Sequence, residues 1–326
     1  MIISKTPYRI SFFGGGTDYT RYYQENGGAV IGTAIDKYCY LNCRYLPPFF
    51  EHASRIVYSE QECVTDNTKI RHPTIRAALQ LLGIKDGVEV HHDGDLPARS
   101  GLGSSSSCTV GMLNALFALQ GRRATRMELA QLAIHVEQNM LQENVGSQDQ
   151  VFAAFGGFNK ILFQPDGQIE VLPLTLQQRR KDELQARLMF CFTRTQRFAS
   201  GVAKTVIENI PNKQQELKEM RRMVDLAEQI LYHGELDDFG HLLHESWMLK
   251  RSISHAVSND YLDGLYEAAR RAGALGGKLV GAGGGGFMLF YVRPEDQSRV
   301  QAALGELVWV PIRFEREGSK IIYFNE

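Results

Sequence analysis

The chain has 326 residues, with 36 Lys and Arg against 37 Asp and Glu, and five cysteines. This near-neutral charge argues against bulk binding to nucleic acid or to a membrane surface. No apolar run reaches the length of a membrane span, and Met1 leads into a strand-like segment without a signal-peptide pattern. An odd number of cysteines in a chain of this size favours a reducing compartment. We therefore expect a cytoplasmic protein with one large domain or two smaller ones.

The first glycine-rich segment, residues 7–19, has the sequence PYRISFFGGGTDY. Its first part alternates as a strand that buries Ile10 and Phe12 and turns Arg9 to the opposite face. The three glycines allow a tight turn before Asp18. An aspartate after such a turn either accepts hydrogen bonds from sugar hydroxyls or caps the next helix, and the sequence leaves both interpretations open.

Two groups of potential metal ligands look structural. Cys39 and Cys43 lie in a strand-like stretch with no second ligand pair at zinc-site spacing, which predicts packed thiols. His91 and His92 end another strand, where adjacent side chains point to opposite faces and cannot easily share one ion.

The second glycine-rich segment, residues 100–107, has the sequence SGLGSSSS. It follows a predicted strand at 87–91 and a turn at 93–97, and it opens a predicted helix over 104–119. Glycine lets backbone N–H groups approach a ligand, the serines can cap the helix, and the helix N-terminus favours anions. The segment therefore predicts a phosphate site, whereas a flexible serine-rich turn is the weaker interpretation.

Two carboxylates follow this segment. The spacing of apolar residues predicts an amphipathic helix over 127–140, with Glu137 at the edge of its apolar stripe. Such a carboxylate is either a salt-bridged surface residue or a paired or metal-binding group near the core. Asp149 lies in the loop 145–150, where a single aspartate is usually a cap or turn former.

The remaining elements mix helices and strands without regular alternation, which favours an α+β fold. A charged stretch at 179–183 predicts a surface connection between a first domain, 1–175, and a second, 176–326. The second half is expected to hold helices near 200–209, 213–233, 236–250 and 262–272.

The third glycine-rich segment, GAGGGG at 281–286, formally matches a dinucleotide-binding fingerprint. That fingerprint needs a strand before it and a helix after it, and here the order is reversed, because a strand-like run follows at 287–292. No P-loop pattern is present either. Consecutive glycines before a core strand instead indicate the close approach of another backbone or of a ligand.

In this order the three segments resemble the motifs of the GHMP kinases, over nearly the whole chain. The match covers residues 7–19, 97–105 and 281–287. The resemblance implies a two-domain fold with the active site in the cleft between the domains, and an ATP-dependent phosphotransferase.

Within that family, the first segment resembles the form found in sugar 1-kinases. It keeps Arg9 and the Thr-Asp-Tyr triplet but has glycines where galactokinases have Glu-His, which disfavours galactose. The GGGTDY form looks like D-glycero-D-manno-heptose 7-phosphate kinases and the kinase part of bacterial fucokinases. A heptose 7-phosphate kinase acting on the anomeric hydroxyl is therefore expected, with fucose or another hexose as the alternative acceptor. The alternative that is not an enzyme is a sensor, which binds ATP and sugar but transfers no phosphoryl group.

The resemblance also implies roles for individual residues. Asp149 matches the residue near the acceptor hydroxyl, a candidate general base, and Arg9 would stabilise the transferring phosphoryl group or tune Asp149. Ser105 and Glu137 would hold Mg²⁺. The ATP phosphates would contact Ser100, Gly101, Leu102, Gly103, Ser104, Ser105, Ser106 and Ser107. Acceptor contacts would come from Gly16, Thr17, Asp18, Gly283, Gly284 and Gly285.

The acceptor's own phosphate requires a cationic site. The candidates are Lys37, Arg99, Arg194, Arg197, Lys250 and Arg251, although each of them is also consistent with ordinary surface charge. The expected partners are therefore a sugar phosphate and ATP, without nucleic acid or membrane, in a protein that can form homo-oligomers.

Overall fold

The computed structural model describes residues 1–98, 100–195 and 199–325, without the side chains of 199 and 200. Its helices are α1 (Thr20–Asn26), α2 (Pro73–Leu81), α3 (Ser104–Leu119), α4 (Arg126–Ile134), α5 (Gln148–Phe155), α6 (Gln178–Gln185), α7 (Ala199–Asn209), α8 (Gln214–His233), α9 (Leu236–Ile253), α10 (Asp260–Arg271) and α11 (Gln297–Ala303). Its strands are β1 (Ile2–Phe13), β2 (Gly28–Tyr45), β3 (Ser54–Val57), β4 (Gln61–Val64), β5 (Val88–Gly94), β6 (Phe158–Phe163), β7 (Ile169–Pro173), β8 (Leu188–Phe192), β9 (Ala274–Leu279), β10 (Phe287–Val292), β11 (Val308–Trp309), β12 (Phe314–Glu315) and β13 (Lys320–Phe324).

A mixed sheet organises the first half of the chain. Within the described residues it has nine strands, with the order β13-β1-β2-β5-β3-β4 along its main path, and with β12 and β6 also paired to β2. Helix α3 lies against β1 and β2 and is almost wholly buried, because Val110, Leu113, Leu116 and Phe117 face the core as their spacing predicts. This packing fixes the N-terminus of α3 at one end of the sheet.

A smaller antiparallel sheet, β11-β8-β10-β9, organises the second half. Helices α9 and α10 pack on β9 and enclose a second apolar core that includes Trp247 and Tyr266. After this sheet the chain returns to the first one, where β12 pairs with β2 and β13 with β1. The division of the chain near residue 175 stays a prediction. None of the helices in the described ranges has the length and apolar character that crossing a membrane requires.

The α+β class is confirmed, and most of the predicted elements are present. The helix predicted over 127–140 is present, but it is α4 followed by a π-helical segment, His135–Met140, whose wider turn changes the direction of the side chains after Ile134. The charged stretch at 179–183 lies between β7 of the first sheet and β8 of the second, as expected of a connection, but it is helical. In α6, Arg179 pairs with Glu183 one turn away.

Candidate active site

The turn before α3 presents free backbone N–H groups to a cleft. Gly103 is the N-cap of α3 with left-handed angles, φ 72° and ψ 25°, and no side chain caps the helix. The expectation that a serine caps α3 was therefore wrong, since the turn needs a positive φ, which glycine adopts most readily. Leu102 is fully buried, and its carbonyl accepts a hydrogen bond from the Arg9 N–H at 3.1 Å.

The serines of this segment divide into two groups. Ser106 and Ser107 are buried, and their hydroxyls donate at 2.8 Å to the Glu137 carboxylate and to the Pro7 carbonyl. Ser104 and Ser105 line the cleft. Ser100 Oγ is buried and finds no hydrogen-bond partner within the described part of the chain. The geometry therefore leaves the first two serines of the helix free to meet a ligand.

An arginine–aspartate pair lies beside this turn. Arg9 Nε and Nη2 donate to the two carboxylate oxygens of Asp149 at 2.8 and 2.6 Å, and Arg9 Nη1 donates to the Gly101 carbonyl at 2.6 Å. Asp149 lies in the first turn of α5 rather than in a loop, and its side chain is 25% exposed to the cleft, against 6% for Arg9. Arg9 thus ties the candidate base to the second glycine-rich segment, residues 100–107, which we call the phosphate segment after its predicted ligand.

Glu137 is fully buried in the π-helical segment. Thr109 Oγ1 and Ser106 Oγ donate to it at 2.6 and 2.8 Å, and the Gln150 side-chain amide donates as well. Burial nevertheless raises its pKa to about 7. The salt-bridged surface interpretation is therefore wrong. Sequence reasoning also missed Thr109 and Gln150, whose only signal is a position within two residues of Ser107 and next to Asp149.

Asp18 is buried at the end of the first glycine turn. Its carboxylate accepts hydrogen bonds from the Gly16 N–H at 2.9 Å and the Gln148 N–H at 3.4 Å, and burial raises its pKa. The residue before α1 is Tyr19, which makes no side-chain cap, so Asp18 is not a helix cap. Gly16 and Asp18 both line the cleft.

Thr17 does not join them. It is fully buried, and its hydroxyl shares its proton between the carbonyls of Gly14 in the turn and Ala29 in β2, both at 2.8 Å. The structure therefore assigns Thr17 to holding the turn, in place of the expected substrate contact.

The third glycine segment contacts the second glycine-rich segment, residues 100–107, at both of its ends, through Gly281 and Gly286. A Cβ atom on Gly286 would lie 2.3 Å from the Ser100 carbonyl oxygen. Between the ends, Gly283 lies against Val257, the Gly284 N–H donates to the Val257 carbonyl at 2.9 Å, and Gly285 lies against Thr195. The lining of the cleft includes Gly281 and Ala282. The expected acceptor contacts of residues 283–285 are thus replaced by packing against backbone.

Two buried lysines line the cleft. Lys278 Nζ donates to the carbonyls of Ser11 and Phe12, both at 2.8 Å, and burial holds its pKa well below the usual range. Lys250 donates to the Gly281 carbonyl, and burial lowers its pKa to about 8. Sequence reasoning missed Lys278, although it lies three residues before Gly281.

Lys250 is the one member of the described cationic candidates that lines the cleft. Lys37 pairs with Asp36, and Arg251 pairs with Asp263. Arg194 is exposed and has a positive φ of 58°. Arg99 and Arg197 lie outside the described residues.

The cleft holds about 1010 Å³ and is lined by residues from β1, α3, α5 and α9. It therefore brings together an open helix N-terminus, a paired carboxylate and two lysines, an arrangement that suits transfer of a phosphoryl group between two bound molecules.

Comparison with known proteins decides the family. The model of the GHMP kinase N-terminal domain matches residues 70–157, and the model of the GHMP kinase C-terminal domain matches residues 223–308. The chain is a GHMP kinase. Like the kinases it resembles, this GHMP kinase is an ATP-dependent phosphotransferase.

Several relatives cover the whole of this GHMP kinase. The D-glycero-alpha-D-manno-heptose 7-phosphate kinase of Campylobacter jejuni is 30% identical over 98% of each chain. Among solved structures, a D-glycero-D-manno-heptose 1-phosphate kinase from Bacteroides thetaiotaomicron has a TM-score of 0.82 at 24% identity and 100% coverage of both chains. Lactococcus lactis galactokinase complexed with galactose has a TM-score of 0.75 at 20% identity, covering 98% of this chain and 94% of that one. These two structures share the fold.

Proposed function

We propose that this kinase phosphorylates the anomeric O1 hydroxyl of D-glycero-D-manno-heptose 7-phosphate to give the 1,7-bisphosphate. The observation that carries the phosphotransfer chemistry is the Arg9–Asp149 pair, held against the Gly101 carbonyl at the start of the phosphate segment. The acceptor assignment is supported by the Campylobacter jejuni relative and by the GGGTDY form of the first motif.

The reaction needs a group that accepts the proton of the acceptor hydroxyl, and positive charge beside the phosphoryl group that is transferred. Asp149 accepts the proton of the acceptor hydroxyl, whose oxygen forms a bond to the γ-phosphorus while the bond from that phosphorus to the β–γ bridging oxygen breaks and ADP leaves. Arg9 holds the Asp149 carboxylate by two hydrogen bonds and places its positive charge beside the transferring group. The N-terminus of α3 and its free serines bind the ATP phosphates.

Glu137 and the hydroxyls in the first turns of α3 fit a magnesium ion. Glu137 is a fully buried carboxylate surrounded by hydroxyl donors, and such a group is costly without a cation or a proton. Oxygen ligands of this kind, together with nucleotide phosphates, are the donors that Mg²⁺ prefers. Glu137, with the hydroxyl of Ser105 or Ser106, would hold it. When bound, the ion neutralises phosphate charge.

The acceptor would lie on the side of the cleft formed by the first glycine turn. Asp18 presents a buried carboxylate there for sugar hydroxyls. Lys250, whose pKa of about 8 keeps it protonated at neutral pH, would supply positive charge for the acceptor's own phosphate or for the transferring one. Of the expected contacts, Gly16 and Asp18 are the ones that line the cleft.

The test measures ATP consumption with Mg²⁺ against D-glycero-D-manno-heptose 7-phosphate, fucose, mannose, galactose and mevalonate. Turnover with the heptose phosphate alone, and a product with a second phosphorus signal coupled to the anomeric proton by nuclear magnetic resonance, would support the proposal. Turnover with an unphosphorylated sugar alone would contradict the acceptor. A kinase that transfers phosphate to a position other than O1 would contradict the site of transfer.

Fucose is the second candidate. The bifunctional fucokinase/GDP-fucose pyrophosphorylase of Arabidopsis thaliana is 25% identical over 90% of this chain, which spans 30% of that protein. A sensor without transfer would bind ATP and sugar in the same panel but consume no ATP. Homo-oligomer formation stays a prediction, to be checked by light scattering.

A further inference from the structure

Three metal-binding side chains converge at the edge of the cleft. In the antiparallel pairing of β2 with β5, Leu41 faces His92 and Cys39 faces Gly94. Cys39 and His92 are therefore diagonal neighbours on one face of the sheet. Helix α3 covers that face and brings Cys108 to them, so that the two thiol sulfurs and one imidazole nitrogen lie within 4.8 Å of one another.

The neighbouring residues of the same types lie elsewhere. His91 points to the opposite face and bonds to Glu89 at 3.0 Å. Cys43, two residues beyond Leu41 on β2, is buried outside the group. In the described part of the chain, this group is the one place where three or more His, Cys, Asp or Glu side chains meet in this way. Cys39 and Cys43 are both buried, as the expectation of packed thiols requires, but Cys39 also meets His92 and Cys108.

The group has the ligand chemistry of a borderline-soft metal. Two sulfur donors and one imidazole suit Zn²⁺ rather than Mg²⁺, which prefers oxygen. Cys39 and Cys108 are only 1% and 4% exposed, so the thiols are held in place by the core. His92 and Cys108 also line the cleft, so a fourth coordination position would face it.

We propose that Cys39, His92 and Cys108 form a binding site for one Zn²⁺ ion, with its fourth position open to the cleft. Binding forms two zinc–sulfur bonds and one zinc–nitrogen bond, and the two thiol protons pass to solvent. The site is separate from the carboxylate site at Glu137. Cys108 and Thr109 are neighbours on α3 whose side chains point about 100° apart around the helix, one toward the thiol group and the other toward Glu137.

Cobalt titration tests the site directly. The full chain carrying Cys63→Ser, which removes the exposed thiol, is reduced, freed of metal and titrated with Co²⁺ under anaerobic conditions. We expect one equivalent to bind with a thiolate-to-cobalt charge-transfer band and the visible bands of tetrahedral cobalt, all displaced by Zn²⁺. The melting temperature of the same protein should rise with Zn²⁺, because the ion binds only the folded site.

The matched control is Cys43→Ser, which changes another buried cysteine of the same strand. Cys39→Ser should lose the charge-transfer band and the zinc-dependent rise in melting temperature, whereas Cys43→Ser should keep both. His92→Ala should weaken binding at least about tenfold, in line with the loss of one ligand. No stoichiometric thiolate band in the parent protein, or an unchanged band in Cys39→Ser, would overturn the proposal. So would a Cys39–Cys108 disulfide that forms in place of metal binding.

Discussion

Gly101 and Gly281 touch backbone to backbone where the phosphate segment meets the third glycine segment. A Cβ atom on Gly281 would lie 2.5 Å from the Gly101 Cα, and one on Gly101 would lie 2.2 Å from the Val280 carbonyl oxygen. Both residues have positive φ, 83° and 87°. The contact joins the N-terminal and C-terminal motifs across 180 positions of sequence, so the phosphate segment takes its shape partly from the second sheet.

Gly101→Ala should separate these two segments. A methyl group there strains the backbone and meets the Val280 carbonyl, so we expect a loss of about 2 to 4 kcal/mol in the free energy of unfolding and weaker ATP binding. The control is Gly121→Ala, which has φ 67° but nothing within 4 Å of the added Cβ, and should lose only about 1 kcal/mol. Urea unfolding and ATP titration measure both variants. Equal losses of unfolding free energy in the two variants would show that the contact between Gly101 and Gly281 does not stabilise the fold.

Asp149→Asn should abolish most of the turnover and leave ATP binding in place. The amide cannot accept the acceptor's proton, so kcat should fall by about 10²- to 10⁴-fold. Steady-state kinetics with both substrates varied, together with ATP titration, distinguish this from a folding defect. Asp238→Asn, at an exposed position of α9, is the control. A decrease of less than about tenfold would remove Asp149 from the role of general base.

Arg9→Lys keeps the positive charge but loses the paired hydrogen bonds to Asp149 and the hydrogen bond to the Gly101 carbonyl. Lysine presents a single ammonium group, so the carboxylate loses its fixed orientation. We expect kcat to fall by about 10²-fold, as for a small misplacement of a reacting group. Arg123→Lys, at an exposed surface position, should behave as the parent protein. Unchanged kcat in Arg9→Lys would mean that charge alone is required.

Glu137 should make the stability of the ligand-free protein depend on pH. Its pKa rises on folding from the ordinary value of 4.5 to about 7, because burial disfavours the carboxylate. The contribution of Glu137 to the free energy of unfolding is therefore fully present below about pH 4.5 and is lost as the pH rises through about 7. Relative to Glu137→Gln, the parent should lose about 3 kcal/mol over that window, measured by urea unfolding. Glu306→Gln, at an exposed position, is the control and should show the same dependence of unfolding free energy on pH as the parent. If Glu137→Gln also showed the parent's dependence on pH, Glu137 would not be its cause.

Lys250 should give the reaction an alkaline limit. Burial lowers its pKa to about 8, so the ammonium group loses its proton as the pH rises through that value. If this charge binds a phosphate, KM for the phosphorylated acceptor should rise about tenfold between pH 7 and pH 9.5. Lys250→Arg keeps its charge over this range and should flatten the rise. The same rise in the arginine variant would assign it to another group.

The fold and the main chemistry of the site could be predicted because they depend on local pattern. Apolar spacing placed α3, glycines marked the turn before it, and the three motifs in order indicated the family. Arg9, Asp18 and Asp149 were all identified as candidates, and all of them line the cleft. Thr17 was expected to contact the acceptor but holds the turn instead. The sequence does not distinguish a threonine hydroxyl that bonds to backbone from one that contacts a ligand.

Other features depend on contacts between distant segments. The full burial of Glu137 depends on a π-helical turn, and the amphipathic pattern of 127–140 does not distinguish that turn from α-helix. The position of Lys278 depends on how β9 packs against the end of β1.

By itself, the sequence determined which segments form most of the helices, strands and glycine turns, because residue spacing and glycine conformations act over a few residues. Only the tertiary structure decided which side chains meet. It joined Arg9 to Asp149, 140 positions apart, and Cys39 to His92 and Cys108. The physical reason is that sheet register and helix packing, not local propensity, set the distances between residues far apart in the chain.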